Sequence, residues 1–245
     1  MIADYFQRGV VSGVAAGVIY GAYMVFVGNP LTEYLHDAGH DHGHTDDHGH
    51  AHEHGQTISE SLNFVVSAGS GVLWATLLGG LFAVALYLFE PSLPGSTSAK
   101  AYLMAGAGFL SVSVTPWLVL PPAAPGSEHL YAVDARLGIY AGLAVLGAVV
   151  SAAAVVAFKR ADSRTLGVVS AAVPILAVVI VLPLATPTAV THPDLAGEVV
   201  SVYRALAAFS QAGIWVLIAA SFNRLRRDAD RSDRENVSDG SLANA

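Results

Sequence analysis

The sequence contains no cysteine among its 245 residues. This absence excludes disulfide bonds, thiolate metal sites, iron–sulfur clusters and cysteine nucleophiles. Charged residues are also scarce, since they make up 13% of the chain, about half of the roughly 25% found in soluble domains. Together with a hydrophobic fraction of 53%, this composition indicates a membrane protein. The formal net charge is −7, and no basic patch is available to neutralise phosphates, so we expect no nucleic-acid partner.

Six apolar stretches are long enough to cross a bilayer, whose hydrocarbon core of about 30 Å needs roughly 20 apolar residues as a helix. None of them contains a charged residue or a histidine, apart from an end residue. Hydrocarbon offers no partner for free backbone groups, so we predict an all-α, polytopic helical bundle that forms a single membrane domain over residues 1–227. The predicted spans lie near 9–27, 64–89, 101–120, 137–158, 166–185 and 205–222.

Basic residues indicate the orientation of these spans. If the N-terminus is cytoplasmic, ten of the twelve lysines and arginines fall on the inside, and only Arg136 and Arg204 fall outside. This positive-inside bias predicts that both termini are cytoplasmic and that the loop 28–63 faces outward. The tail 228–245 mixes charges with Ser, Asn and Gly, and its composition predicts a disordered segment.

Glycines and prolines mark points of close packing or interruption in the spans. In the first span, glycine recurs every four residues, at Gly9, Gly13, Gly17 and Gly21. This spacing places all four on one helix face and predicts helix packing there, with backbone lining an ion path as the alternative. Gly138 and Gly142 repeat the pattern in the fourth span. Pro116, Pro174 and Pro183 predict kinks, or broken helices at a binding site.

Eight of the ten histidines lie between His36 and His54, in the sequence HDAGHDHGHTDDHGHAHEH. Imidazole and carboxylate together suit divalent Co, Ni, Zn or Cu. The glycines and the polarity favour a flexible, multivalent metal collector over a fixed cage, while a pH sensor or a solvated low-complexity loop are alternatives. The candidate metal ligands are His36, His40, His42, His44, His48, His50, His52, His54, Asp41, Asp46, Asp47 and Glu53.

Catalytic motifs are missing. The sequence has no HExxH, no Walker motif and no GxSxG, so we expect no enzyme and no tightly bound cofactor. At the predicted outer mouth, Glu128, His129, Asp134 and Arg136 are solvated charges or form a polar cluster at the vestibule. In the last outer loop, His192, Asp194 and Glu198 are solvated or join them as secondary metal ligands. Polar side chains within the spans could line a cation path, although Ser and Thr in membrane helices usually bond their own backbone: Ser67, Ser70, Thr76, Ser111, Ser113, Thr115 and Gln211.

Several of these features occur together in a known family. The sequence resembles the predicted cobalt transporter subunit CbtA in four features. These are the glycine-spaced first helix, the GNP at Gly28–Pro30 before the histidine-rich loop, the TPWLVLPPAAPG from Thr115 and the DARLGIY at the start of the fourth helix. The resemblance runs from Arg8 to about Arg227. It implies an integral membrane protein linked to cobalt supply for cobalamin synthesis, often paired with CbtB, a small single-span subunit that contains histidine. The matching motif positions are Thr115, Pro116, Pro121, Pro122, Pro125, Arg136 and Tyr140.

The sequence therefore predicts a multi-pass subunit of a divalent-cation uptake system in a prokaryotic cell membrane, with cobalt as the expected substrate and nickel or zinc as alternatives. The outer loop would raise the metal concentration near a vestibule at 121–129. The expected partners are membrane lipid, a CbtB-like subunit and further copies of the chain. The alternative is a membrane-anchored protein that binds or senses metal and does not transport it.

Overall fold

Helices form almost all of the described chain in this computed structural model, which describes residues 2–40, 53–187, 189–193 and 195–242. The helices are α1 (Ile2–Tyr23), α2 (Asn29–His40), α3 (Glu53–Phe89), α4 (Thr97–Phe109), α5 (Thr115–Trp117), α6 (Val133–Arg160), α7 (Arg164–Ala185) and α8 (Gly197–Leu242). A π-helical segment, Met24–Gly28, joins α1 to α2, and a second one, Leu110–Val114, joins α4 to α5. Two short strands, β1 (Glu128–His129) and β2 (Val190–Thr191), pair antiparallel.

The expected all-α membrane architecture is confirmed, because five helices of the described chain are long and apolar enough to cross a bilayer. They lie within Ile2–Leu35, Val65–Ser92, Val133–Arg160, Arg164–Ala185 and Gly197–Ser232. The third predicted span, near 101–120, is also helical, but the π-helical segment divides it into α4 and the single turn of α5. The count of six spans therefore stays a prediction.

Predicted boundaries differ from the structure in two regions, the histidine-rich loop and the C-terminal tail. The helices on either side of the histidine-rich loop are longer than their apolar stretches, since α2 continues to His40 and α3 begins at Glu53. At the other end of the chain, α8 continues to Leu242, where the composition predicts a disordered tail. In sequence, this tail places opposite charges four positions apart, as in Asp230 and Arg234, and such pairs stabilise an exposed helix.

The tightest packing in the bundle joins α1 to α3. A Cβ built on Gly13 would lie 2.5 Å from the carbonyl oxygen of Ala75, and one on Gly17 would lie 2.7 Å from the Cα of Val72. Neither position has room for any side chain, so the two backbones approach as closely as small-residue faces in membranes permit. Next to this contact, Phe82 of α3 packs edge-on against Phe222 of α8, with ring centroids 5.5 Å apart.

The remaining helices surround this core unevenly. α8 packs on α1 and α4, and α6 packs on the second π-helical segment and on α5. α7 packs mainly on α6, and the residues of its most apolar window are all at least partly exposed. Pro174 and Pro183 lie inside α7 without ending it. An apolar helix this exposed is stable only against lipid or another membrane helix.

The bundle has two distinct ends. At the Glu90 end, the start of α1 meets α8, because the Arg226 guanidinium lies 5.6 Å from the ring centroid of Tyr5. α4 and α6 also reach this end: Asn223 donates to the Ser98 carbonyl, and Lys159 donates to the Ser92 carbonyl. At the opposite end, here called the His192 end, lie the 118–126 loop and the β1–β2 pair.

Candidate functional site

The histidine-rich segment lies largely outside the described residues. Eight of the candidate ligands belong to the part 41–52, which is outside the described residues: His42, His44, His48, His50, His52, Asp41, Asp46 and Asp47. His36 and His40 stand one turn apart in the last part of α2, and Glu53 and His54 open α3. Since α1 starts at the Glu90 end and continues into α2, the segment is attached toward the His192 end of the bundle.

The second π-helical segment occurs where the sequence removes a backbone donor. In an α-helix, the amide of residue 116 would donate to the carbonyl of Val112, but Pro116 has no N–H. The hydroxyl of Tyr140 in α6 donates to this carbonyl instead, at 2.7 Å. The two motif positions therefore concern the same carbonyl: Pro116 removes its helical donor, and Tyr140 supplies a donor from another helix. The helix is locally widened here, as often occurs at functional sites.

Thr115 lies at the centre of this break. Its side chain is fully buried, and within the described part of the chain its Oγ1 has no hydrogen-bond partner. A Cβ on Gly147 of α6 would lie 2.8 Å from this Oγ1 and 2.6 Å from the Cα of Ser111, so α6 approaches the break very closely. An unpaired hydroxyl in an apolar interior is costly, and a functional role is one of the explanations for such a group in a native structure.

Three of the other polar candidates within the spans bond their own helices, as Ser and Thr usually do. Ser111 donates to the Ala107 carbonyl at 2.7 Å, Thr76 to the Val72 carbonyl at 2.7 Å, and Ser70 to the Ser67 carbonyl at 3.0 Å. Ser113 is buried beside Thr115, and Gln211 lies next to Tyr20 at the α1–α8 contact. Thr115 is therefore the one of these hydroxyls that is buried without a partner among the described residues.

A proline-rich loop, residues 118–126, leads from the break to the His192 end. It contains Pro121, Pro122 and Pro125 and turns at Gly126, which has a φ of 74°, a value that favours glycine. One contact fixes the middle of this loop: the amide of Ala124 donates to Nε2 of His192 at 3.0 Å. Only the neutral imidazole can accept this bond, and the bond occupies the nitrogen that would otherwise be free to bind a metal.

The β1–β2 pair brings the two isolated histidines close together. His129 lies opposite Val190, and the Leu130 amide donates to the Ala189 carbonyl at 3.0 Å. Burial, and then the positive charges of Arg204 and His129, lower the pKa of His192. Among the described residues, no three His, Asp or Glu side chains lie close enough together to hold a metal ion, and Asp194 lies outside the described residues.

Two arginines give the His192 end a local positive charge. The Nε atoms of Arg136 and Arg204 are both buried, and neither finds a hydrogen-bond partner in the described chain. Glu128 of β1 and Val133 and Asp134 at the start of α6 are exposed. A cation that enters at this end would therefore approach fixed positive charge as well as carboxylates.

The first-span glycines lie together at the α1–α3 contact, whereas those of the fourth span face no neighbouring side chain or backbone in the described part of the chain. Gly9, Gly13, Gly17 and Gly21 are all buried, and each of them faces α3. Their partner surface includes Gly79, whose own Cβ would lie 2.8 Å from the Cα of Gly13. At Gly138 and Gly142, a Cβ would meet no described atom within 4 Å.

Sequence reasoning missed a polar network at the Glu90 end. Oε2 of Glu90 accepts a hydrogen bond of 2.6 Å from the Tyr5 hydroxyl. Oε1 of Glu90 forms an ion pair with Arg226 at 3.0 Å. The three side chains join α1, the end of α3 and α8. The signal in the sequence is an isolated carboxylate directly after an apolar span, but its partner lies 136 positions away.

Comparison with known proteins identifies one family. A family model described as "Probable cobalt transporter subunit (CbtA)" matches residues 2–227, which include both π-helical segments and the proline-rich loop. No curated protein and no solved structure matches the chain. The chain belongs to the CbtA family.

Proposed function

We propose that this member of the CbtA family is the membrane subunit of a cobalt uptake system, in which residues 36–54 collect the cation and the helix break at Thr115 guides it into the bundle. One observation carries the proposal: Thr115 Oγ1 is buried and has no hydrogen-bond partner among the described residues, and it lies on a helix interrupted beside a proline. Broken membrane helices with unsatisfied oxygen atoms are the arrangement by which many transporters coordinate their cation.

The histidine-rich segment supplies the capture step of this proposal. Its imidazoles and carboxylates suit divalent Co, Ni and Zn, and spacing alone does not select among them. The segment connects α2 to α3 toward the His192 end, which we assign to the outside of the cell on the positive-inside bias. Weak binding at many sites would raise the local cation concentration and still release the ion to the bundle.

The membrane potential is a sufficient driving force for uptake. A divalent cation that moves inward across 100 mV gains about 4.6 kcal/mol, at about 2.3 kcal/mol per charge. This corresponds to an accumulation of roughly a thousandfold. A nucleotide-binding site on this chain is therefore not required. As a subunit, the chain is expected to work with partners, and we propose a small histidine-containing membrane subunit or further copies of the chain.

The second candidate function is a membrane-anchored metal-binding or metal-sensing protein that does not transport. The observation that favours it is the buried Nε of Arg136 and of Arg204, which find no partner in the part of the chain that the structure describes. Fixed positive charge at the His192 end raises the barrier for a divalent cation. On this hypothesis the histidine-rich segment would bind metal, and cellular metal content would not depend on the protein.

Cellular accumulation of labelled cobalt at low external concentration distinguishes the two. The chains to compare are the intact protein, a variant in which all eight histidines from His36 to His54 are changed to glutamine, and an empty vector, each with and without the candidate partner subunit. The glutamine variant keeps the length of the segment, so it separates metal capture from loop length.

The proposal predicts uptake by the intact chain, and reduced uptake by the glutamine variant that recovers at high external cobalt. Uptake equal to the empty vector in every combination, with membrane expression confirmed, would reject transport of cobalt. If the purified intact chain then still binds cobalt and the glutamine variant does not, the sensing function is supported.

A further inference from the structure

A basic pocket lies at the Glu90 end, away from the helix break and the histidine-rich segment. It has a volume of about 420 Å³ and opens between α4 and α8. The pocket is lined by Tyr102, Ala220, Arg224, Arg227, Asp228 and Arg231. Neither the family description nor the proposed transport function gives it a role.

The charge in this pocket is unbalanced. Arg227 and Arg231 follow Arg224 by three and seven positions along α8, which places the three on one helix face. Among the described residues, Asp228 is the only carboxylate that lines the pocket. None of these arginines forms an ion pair with another described residue. By contrast, the neighbouring Arg226 is paired with Glu90 at 3.0 Å. Arg227 also donates one hydrogen bond of 3.5 Å to the Ser98 hydroxyl. Since a guanidinium group carries five N–H donors, the pocket still offers cationic groups with donors for an anion.

The position of the pocket along α8 indicates which anion fits. Arg224 lies just beyond the buried Phe222, where the apolar part of α8 ends, while Ala220 and the ring of Tyr102 form the more apolar wall. Tyrosine is enriched at the level of lipid headgroups. Guanidinium groups bind phosphate oxygens in a bidentate manner, and basic pockets between membrane helices bind anionic headgroups.

We propose that this pocket binds the phosphate of an anionic phospholipid, with the arginines of α8 around the phosphate and an acyl chain along Tyr102 and Ala220. The shared chemistry is a phosphate group, for which a lipid headgroup and free phosphate are the two sources. We favour the lipid over free phosphate, because free phosphate would make no contact with the apolar wall. It is independent of whether the chain transports cobalt.

The test is native mass spectrometry of the purified full chain, titrated with phosphatidylglycerol and, separately, with phosphatidylcholine. The variant is the double substitution R224Q/R227Q, and the control is R160Q/R164Q, which removes the same charge from the exposed ends of α6 and α7. We expect selective binding of phosphatidylglycerol, weakened by about 25-fold in R224Q/R227Q, since one basic residue near an anionic lipid contributes about fivefold. Binding by the control should change less than about twofold.

Three results would overturn the proposal. Unchanged phosphatidylglycerol binding by R224Q/R227Q would remove the pocket from consideration, and equal weakening in both double variants would indicate a general effect of charge. Displacement of the lipid by an excess of inorganic phosphate would assign the pocket to the free anion. If the double variant does not keep the helical content and melting temperature of the parent, the exposed Arg224→Gln alone decides, with an expected loss of about fivefold.

Discussion

The hydroxyl of Tyr140 lies 2.7 Å from the carbonyl oxygen of Val112 and donates a hydrogen bond to it. The carbonyl needs this donor because Pro116, four residues further on, has no amide hydrogen. One tyrosine in α6 thus stabilises an interruption in the preceding helix and holds α6 against it. At the same interruption, Thr115 is buried without a hydrogen-bond partner among the described residues. Tyr140 therefore stabilises the break that contains the unpaired hydroxyl of Thr115.

The first prediction concerns this hydrogen bond. Tyr140→Phe should lower the free energy of unfolding by about 1 kcal/mol, because it removes the donor of a partly buried hydrogen bond to the Val112 carbonyl. The measurement is thermal or denaturant unfolding of the purified protein in detergent. The control is Tyr131→Phe, since the Tyr131 hydroxyl makes no hydrogen bond with the described residues. Equal stability of both variants would show that water or lipid satisfies the Val112 carbonyl.

The second prediction concerns the glycine contact between α1 and α3. Gly13→Ala should destabilise the protein by about 1–3 kcal/mol, the usual effect of overpacking, because a methyl group there would lie 2.5 Å from the Ala75 carbonyl oxygen. Gly106→Ala is the control, since a Cβ there meets no described atom within 4 Å. The melting temperature in detergent should fall for the first variant and stay equal or rise for the second.

The sequence predicts this contact only in part. Spacing of four places Gly9, Gly13, Gly17 and Gly21 on one face, because helix periodicity is a local property. It does not identify α3 as the partner, or Gly79 as the position that α1 approaches, because these depend on tertiary packing. The same spacing at Gly138 and Gly142 accompanies no described helix contact, so the pattern alone does not determine whether a neighbour is present.

Other parts of the site could not be predicted for the same reason. Pro116 signals a break, but the donor that bonds the freed Val112 carbonyl comes from Tyr140, 28 positions from Val112. His192 and Ala124 are 68 positions apart, and Glu90 and Arg226 are 136 apart. α2 and α3 also extend beyond the apolar stretches of the sequence. Hydropathy predicts only the part of a helix that lies within the membrane, and a helix can continue into water.

The third prediction is a pH dependence at the proline-rich loop. The pKa of His192 is lowered by burial and then by Arg204 and His129, so the folded protein binds fewer protons than the unfolded chain. Stability should therefore be complete above the ordinary histidine pKa of about 6.5, and it should decrease as the pH falls from there through the lowered pKa. Protonation removes the acceptor for the Ala124 amide.

Hydrogen exchange at single amides measures this effect. The protection factor of Ala124, corrected for intrinsic exchange, should fall when the pH is lowered through this range. The Leu130 amide, which bonds the Ala189 carbonyl, is an internal control in the same region and should change less. In His192→Gln, whose side-chain oxygen accepts without titrating, Ala124 protection should lose its pH dependence. A pH-dependent loss that persists in this variant would assign the titration to another group.

The fourth prediction concerns the Glu90 network. Glu90→Gln and Arg226→Gln should each destabilise the protein, and the double variant should lose less than the sum, with a coupling of about 1 kcal/mol for a partly exposed pair. Tyr5 reports the same network, since its hydroxyl bonds the other carboxylate oxygen at 2.6 Å. Additive effects in the unfolding measurements would mean that the ion pair contributes no specific energy.

The last prediction separates a functional from a structural role of Thr115. Thr115→Val keeps the shape of the side chain and removes the unpaired hydroxyl, so stability should be unchanged or slightly higher. If this oxygen contacts the cation, cobalt uptake should fall by about tenfold or more, because a bond to a charged group contributes about 1.5–3 kcal/mol. Thr115→Ser retains the hydroxyl and should keep most of the uptake. A valine variant with full uptake would exclude this hydroxyl from the cation path, while a loss of uptake at unchanged stability cannot arise from packing alone.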